Sequence, residues 1–165
     1  MTYPLTVNAD VRFLTMADPH GWRIYRNSLC FLLAKVMNDL HPTAQFSIEH
    51  SLGVGLYCSS NASTSNGSGI GRDAVAAIER EMRDLIRRDA PILRHKMAYM
   101  DAVRAFKDSG QTDKLNILKF RNPPRIVIHE CERFFDFAHG PLAPSTGSLR
   151  QFALIPYPPG FILQF

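Results

Sequence analysis

Apolar residues recur at helical spacing in two long stretches of this chain. Between residues 22 and 40, Tyr25, Leu29, Leu32, Leu33, Val36 and Leu40 follow one another at intervals that place them on one face of a helix. Asp18-Pro19 in front of this stretch reads as an N-cap followed by proline at the first helical position, and His41-Pro42 ends it. Residues 73–88 form the second stretch, with Val75, Ile78, Met82, Leu85 and Ile86 as its apolar stripe. Glu79–Arg83 and Asp84–Arg88 are acid-before-base pairs four residues apart on the polar side, and Pro91 closes the helix. Residues 100–107, ended by Gly110, make a third amphipathic segment, and residues 114–120 a short fourth.

Strand patterns fill the remainder. Residues 11–15 read as a short strand, and residues 46–58 as a hairpin turning near residues 51–53. Residues 125–131 alternate Ile126 and Ile128 with Val127 and His129, and residues 134–137 are aromatic. Residues 149–155 and 161–165 read as two strands joined across residues 156–160. The order is strand, helix, hairpin, two or three helices, then several strands. That is not the regular alternation of a parallel sheet, so the expected class is α+β, with helices packed on an antiparallel sheet. Residues 59–69 are almost all Ser, Asn, Thr and Gly, hold nothing apolar larger than Ala62, and are expected to form a flexible surface loop.

Composition narrows the classes. The chain has 165 residues, of which 45% are hydrophobic, enough for one core, so a single domain over residues 1–165 is expected and a disordered chain is excluded. Three cysteines, Cys30, Cys58 and Cys131, are too few for a disulfide scaffold. No apolar run reaches the ~20 residues of a membrane span, and no signal peptide pattern opens the chain, so a cytoplasmic location without membrane contact is expected. Nineteen Lys and Arg against 15 Asp and Glu give a net charge of +4, an excess that permits a phosphate-bearing partner without requiring one.

Little in the sequence announces chemistry. There is no Walker-type lysine loop, and the glycines at 67, 69 and 71 lack the lysine that a phosphate cradle of that kind needs. No two of the six histidines stand four residues apart on a helix, so zinc binding from one helix face is not indicated. His129-Glu130-Cys131-Glu132 is dense in ligand types, but an ordinary strand with one polar face accounts for it. The cysteines read as small core residues. The cluster Phe134, Phe135 and Phe137, near Arg121, Arg125 and Arg133, suits a core, with base stacking as the minority alternative.

Several segments taken together carry a family resemblance. Asn27-Ser28-Leu29-Cys30-Phe31-Leu32-Leu33 is followed by Leu40-His41-Pro42, then by Ile48-Glu49-His50-Ser51 and Leu52-Gly53-Val54-Gly55. Near the end stand Asp136-Phe137-Ala138-His139-Gly140-Pro141-Leu142 and Pro144-Ser145-Thr146-Gly147. In order and spacing this resembles the second N-terminal, editing-type domain of threonyl-tRNA synthetase, shared with alanyl enzymes and free-standing editing relatives, from about Val11 onward. A closer likeness is the version of that domain found ahead of the kinase domain in bacterial uridine kinase-like proteins, with Asp18-Pro19-His20-Gly21 as a further match. The resemblance implies that two helix histidines, a cysteine and a late histidine would form a site hydrolysing serine misattached to tRNA. Residue by residue these fall on Asn27, Phe31, Ala138 and Leu142. Phe31, Ala138 and Leu142 can neither hold a metal nor move a proton. The scaffold is expected to persist with its hydrolytic groups gone.

Three readings follow. The first is a non-hydrolytic accessory domain of a uridine kinase-like protein that binds a nucleoside, a nucleotide or an RNA end, such as a tRNA acceptor end, in the old cleft. Its candidate lining residues are Asn27, His50, His95, His139 and Ser145, each of which also suits a surface or capping role. No catalytic residue, metal or cofactor is expected in this fragment; ATP and magnesium belong to the kinase domain that the resemblance implies, with a ubiquitin-like domain on the other flank. The second reading is a tRNA-editing hydrolase with a rewired site built from His50, His95 and His139. The third is a structural interdomain or dimerisation module.

Overall fold

The computed structural model describes residues 6–61, 69–120, 123–138 and 140–165. The chain folds as an α+β domain with antiparallel pairing throughout its sheets. Its elements are α1 (Pro19–Leu40), β1 (Phe46–Leu52), β2 (Gly55–Ser60), α2 (Arg72–Arg88), β3 (Leu93–Ala98), α3 (Tyr99–Asp108), α4 (Thr112–Leu118), β4 (Arg125–Cys131), β5 (Phe134–Asp136), β6 (Ala153–Tyr157) and β7 (Gly160–Gln164). Where one sheet was expected there are two, a four-stranded sheet in the order β1-β2-β7-β6 and a three-stranded sheet in the order β3-β4-β5.

The long helices follow their stripes. Leu29, Leu32, Leu33 and Val36 of α1 are fully buried, as are Ile78, Met82 and Leu85 of α2. These side chains join Cys58, Phe161, Leu163 and Leu154 from the four-stranded sheet and Cys131 and Phe134 from the smaller one in the main core. Strand β4 is two-faced. Cys131 meets the main core, while Ile126 and Ile128 pack with Ala102 and Phe106 of α3 and Leu118 of α4 in a second cluster. Phe135 and Phe137 reach the same second cluster, with ring centroids 5.2 and 4.7 Å from Phe106. The aromatic segment is therefore core, and no described ring of it stands free for a base.

Four sequence expectations are corrected here. Residues 11–15 form no strand: Val11 and Phe13 are 67% and 90% exposed, with no neighbouring strand to pair with. Asp18 stands at the N-cap with Pro19 at the first helical position as expected, but its side chain does not cap α1; the carboxylate turns back to accept from the Thr15 backbone N–H at 3.0 Å and to pair with Arg12 at 3.1 Å. Strand β3 stands where no element was expected, its His95 and Met97 opposite Ile128 and Ile126 of β4. Arg88 does not pair with Asp84, whose partner is Arg87; Arg88 reaches Glu81 and Glu132 instead. The β1–β2 hairpin closes through Gly53-Val54, and Gly53 carries the positive φ of 58° that such a two-residue loop asks of its first residue. Strand β2 continues through Ser60, so only residues beyond it remain of the expected 59–69 loop, and 62–68 lie outside the described residues. Among the described residues no helix is long and apolar enough to cross a membrane.

Candidate functional site

One face of α1 carries Asn27, Phe31, Ala34 and Asn38 at helical spacing. The loop before residue 145 lies against the first half of this face. Ser28 Oγ fixes it there, accepting from the Ala143 backbone N–H at 2.8 Å while donating to the Ile24 carbonyl at 2.7 Å. At this end every position that the family resemblance makes reactive is filled with hydrocarbon except Asn27, which is half-buried. Phe31 and Leu142 are buried and Ala138 packs against the same core. The Phe31 ring lies 5.5 Å from Phe134 and 6.4 Å from His129, so position 31 itself supplies hydrocarbon and no group that can move a proton.

The second half of the face opens onto a cavity of about 570 Å³. Its walls are the end of α1 (Ala34, Met37 and Asn38), the 41–47 segment that leads from it into β1, the start of α4 and the β5 residues Phe134 and Asp136. The volume falls in the usual range for small-molecule sites. At its edge Lys114 of α4 crosses to β5, with Nζ 2.9 Å from Asp136 Oδ2 and 3.2 Å from Asp113 Oδ2. Asp136 is 7% exposed, and its other carboxylate oxygen accepts from the Phe137 backbone N–H at 2.6 Å. Burial pushes the Asp136 carboxyl above its ordinary value, against the pull of the Lys114 charge. For Lys114, burial works against the charged form, but the two carboxylates outweigh it and hold the ammonium above its ordinary value. Gln111 braces the same corner, its side-chain amide donating to the Phe135 carbonyl and to Ser109 Oγ, each at 3.2 Å. An ion pair of a buried carboxylate and a half-buried ammonium at the mouth of a polar cavity can orient a neutral polar ligand.

None of the described candidate ligand residues, Asn27, His50, His95 and Ser145, lines this cavity. His50 is exposed on β1, its ring 5.4 Å from that of its cross-strand neighbour Tyr57. His95 lies on β3, with Nε2 2.8 Å from Glu130 Oε2, close in distance but without an aligned hydrogen bond. Ser145 hydrogen-bonds the Asp89 carboxylate just past the end of α2. The surrounding Pro144-Ser145-Thr146-Gly147 segment closes that helix. Thr146 Oγ1 donates to the Leu85 carbonyl at 2.7 Å and the Gly147 N–H donates to Asp89 Oδ1 at 2.8 Å. These bonds satisfy groups that a helix end leaves orphaned. A side chain at position 147 would run into Asp89, at 2.3 Å from its nearest carboxylate oxygen, so glycine belongs there. His139 and Arg121 lie outside the described residues.

The other ligand types do not converge either. Among the described residues no three His, Cys, Asp or Glu side chains are placed to share a metal ion. On β4, His129 faces α1 while Glu130 and the cross-strand neighbour His95 share the opposite face with Ile128. His129 is 1% exposed with neither ring nitrogen partnered, and burial depresses its pKa, aided by the charges of Arg94 and His95. Burial also pushes the thiols of Cys30 and Cys131 up to about 11 and that of Cys58 to about 12, so none is a thiolate near neutral pH.

Sequence comparisons agree with the scaffold seen here. No family model matches the chain. Over 147 residues, 89% of its length, it is 29% identical to threonine–tRNA ligase of Francisella tularensis subsp. novicida (strain U112). The same identity and coverage are found with the threonine–tRNA ligases of F. tularensis subsp. tularensis (strain SCHU S4) and subsp. holarctica (strain LVS). The chain spans only 23% of the length of these relatives.

Proposed function

We propose that this chain is a non-hydrolytic binding domain, derived from a tRNA-editing scaffold, that holds a nucleoside, a nucleotide or an RNA end in the cavity beside Lys114 and Asp136. The observation that carries this reading is the contrast along α1. Three of the four positions matched to reactive groups hold Phe31, Ala138 and Leu142, which pack in or against the apolar core, while the adjoining cavity keeps a polar lining and the Lys114–Asp136 ion pair. Hydrolysis of an aminoacyl ester needs a general base or an activated water within hydrogen-bond reach of the bond, and hydrocarbon supplies neither. Binding needs only shape and a few placed polar groups, which the cavity has.

The same reading puts the domain in a uridine kinase-like protein, where a nucleoside-binding accessory domain would sit beside the phosphorylating one. Support comes from the Asn27-Ser28-Leu29-Cys30-Phe31 and Ile48-Glu49-His50-Ser51 segments described above.

Two assays test it together. Seryl-tRNA incubated with the protein, with and without zinc, is expected to decay at the uncatalysed rate. Equilibrium dialysis against uridine, its 5′-monophosphate and a tRNA acceptor-stem RNA is expected to give saturable binding of at least one. Turnover above background, or no binding of any of the three, would overturn the proposal.

A further inference from the structure

Resting on the reading of the cavity as a ligand site, we infer that it takes an unphosphorylated nucleoside and discriminates against the corresponding 5′-monophosphate. The argument starts from charge. Among the described residues that line the cavity Lys114 is the one lysine or arginine, and Asp113 and Asp136 face it. With histidine counted as neutral, these three leave the site at a formal −1. The Lys114 ammonium is already engaged by both carboxylates, at 2.9 and 3.2 Å, so it is not free to meet a phosphate. A phosphate dianion entering the cavity would therefore face net repulsion and find no guanidinium to pair with.

The remaining lining suits the uncharged parts of a nucleoside. Asn38, Gln45 and Asn116 bring amides that can both donate to and accept from a base edge. Phe46, half-buried and backed by the Phe161 ring at 6.3 Å, borders the same space and offers ring surface against which a base can lie. Asp113, whose side chain is 68% exposed, is a carboxylate acceptor for ribose hydroxyls, a role carboxylates take in nucleotide-binding folds. Hydroxyl recognition by a carboxylate and rejection of a phosphate are two outcomes of one charge.

The experiment is isothermal titration calorimetry on the whole chain with uridine and adenosine against their 5′-monophosphates at low ionic strength. The monophosphates are expected to bind about tenfold more weakly, from two added negative charges meeting one at roughly 6 Å in a water-like dielectric. The gap should shrink as salt is added. Asp113→Lys, at a solvent-exposed position, reverses the formal charge to +1 and is expected to close or invert it, with Asp113→Asn intermediate. Circular dichroism checks that both variants fold. Monophosphates binding as tightly as nucleosides, or tighter, would overturn the inference and leave the cavity reading standing. An Asp113→Lys protein with an unchanged ratio would also overturn it. No heat from either series would remove the cavity reading itself.

Discussion

The two ends of one helix face behave in opposite ways. At the Asn27–Phe31 end of α1, hydrocarbon from the helix and the facing loop closes into the core, and the loop is held by the Ser28–Ala143 hydrogen bond. One to two turns further on, at Ala34 and Asn38, the same face borders an open polar cavity with Lys114 and Asp136 at its edge. The lesson is that one helix face can serve packing at one end and border a polar space at the other. Apolar side chains at the first end add packing, which stabilises a fold. Removing one partner of the ion pair at the second end would leave a buried charge unmatched, so that pair resists piecemeal replacement.

Breaking the closed end should cost most. Phe31→Ala removes a buried ring packed on Phe134, and a loss of about 4 kcal/mol in unfolding free energy is expected from urea denaturation. Breaking the open end comes next. Lys114→Met leaves Asp136 buried without its cation, and about 3 kcal/mol should be lost at pH 7. Protonating Asp136 in that variant removes the unmatched charge, so its deficit relative to the parent should narrow as pH is lowered toward 4.

His129 gives a smaller effect of opposite sign. Its pKa is depressed in the folded state, so protons favour the unfolded chain. Its contribution is complete above the ordinary imidazole value of about 6.5 and is lost as pH falls through that value toward the folded one. His129→Phe should stabilise the protein by about 1 kcal/mol and flatten the fall in thermal midpoint between pH 7 and 5, since neither ring nitrogen has a partner to lose. Similar in size, Thr146→Val should cost about 1 kcal/mol through the bond to the Leu85 carbonyl and leave ligand binding unchanged, because Thr146 closes α2 and does not line the cavity.

The sequence made some of this legible and not the rest. Helices α1 and α2 could be read because their stripes are long, and β4 because the β-branched run Ile126-Val127-Ile128 suits a strand. Strand β3 escaped because Leu93, His95 and Met97 stand among Arg94, Lys96 and a preceding Pro91, and become a strand only once β4 supplies the partner. Phe13 misled in the other direction, an apolar residue with no neighbour to bury it. The apolar character of positions 31, 138 and 142 was visible in the sequence, and their matching to reactive positions rests on the resemblance alone. The cavity was not, because Lys114 and Asp136 lie far apart in the chain on different elements. One signal was available: Asp136 is a lone carboxylate inside Phe134-Phe135-Asp136-Phe137, and a charge forced into an aromatic run needs a partner from elsewhere.

The most direct test of the central claim is a backbone amide chemical-shift map of the protein titrated with uridine. Saturable shifts concentrated at Gln45, Ser47 and residues 111–116, with Phe31 and Leu142 unmoved, are the predicted result. Shifts centred on Phe31 and Leu142, or none that saturate, would contradict it.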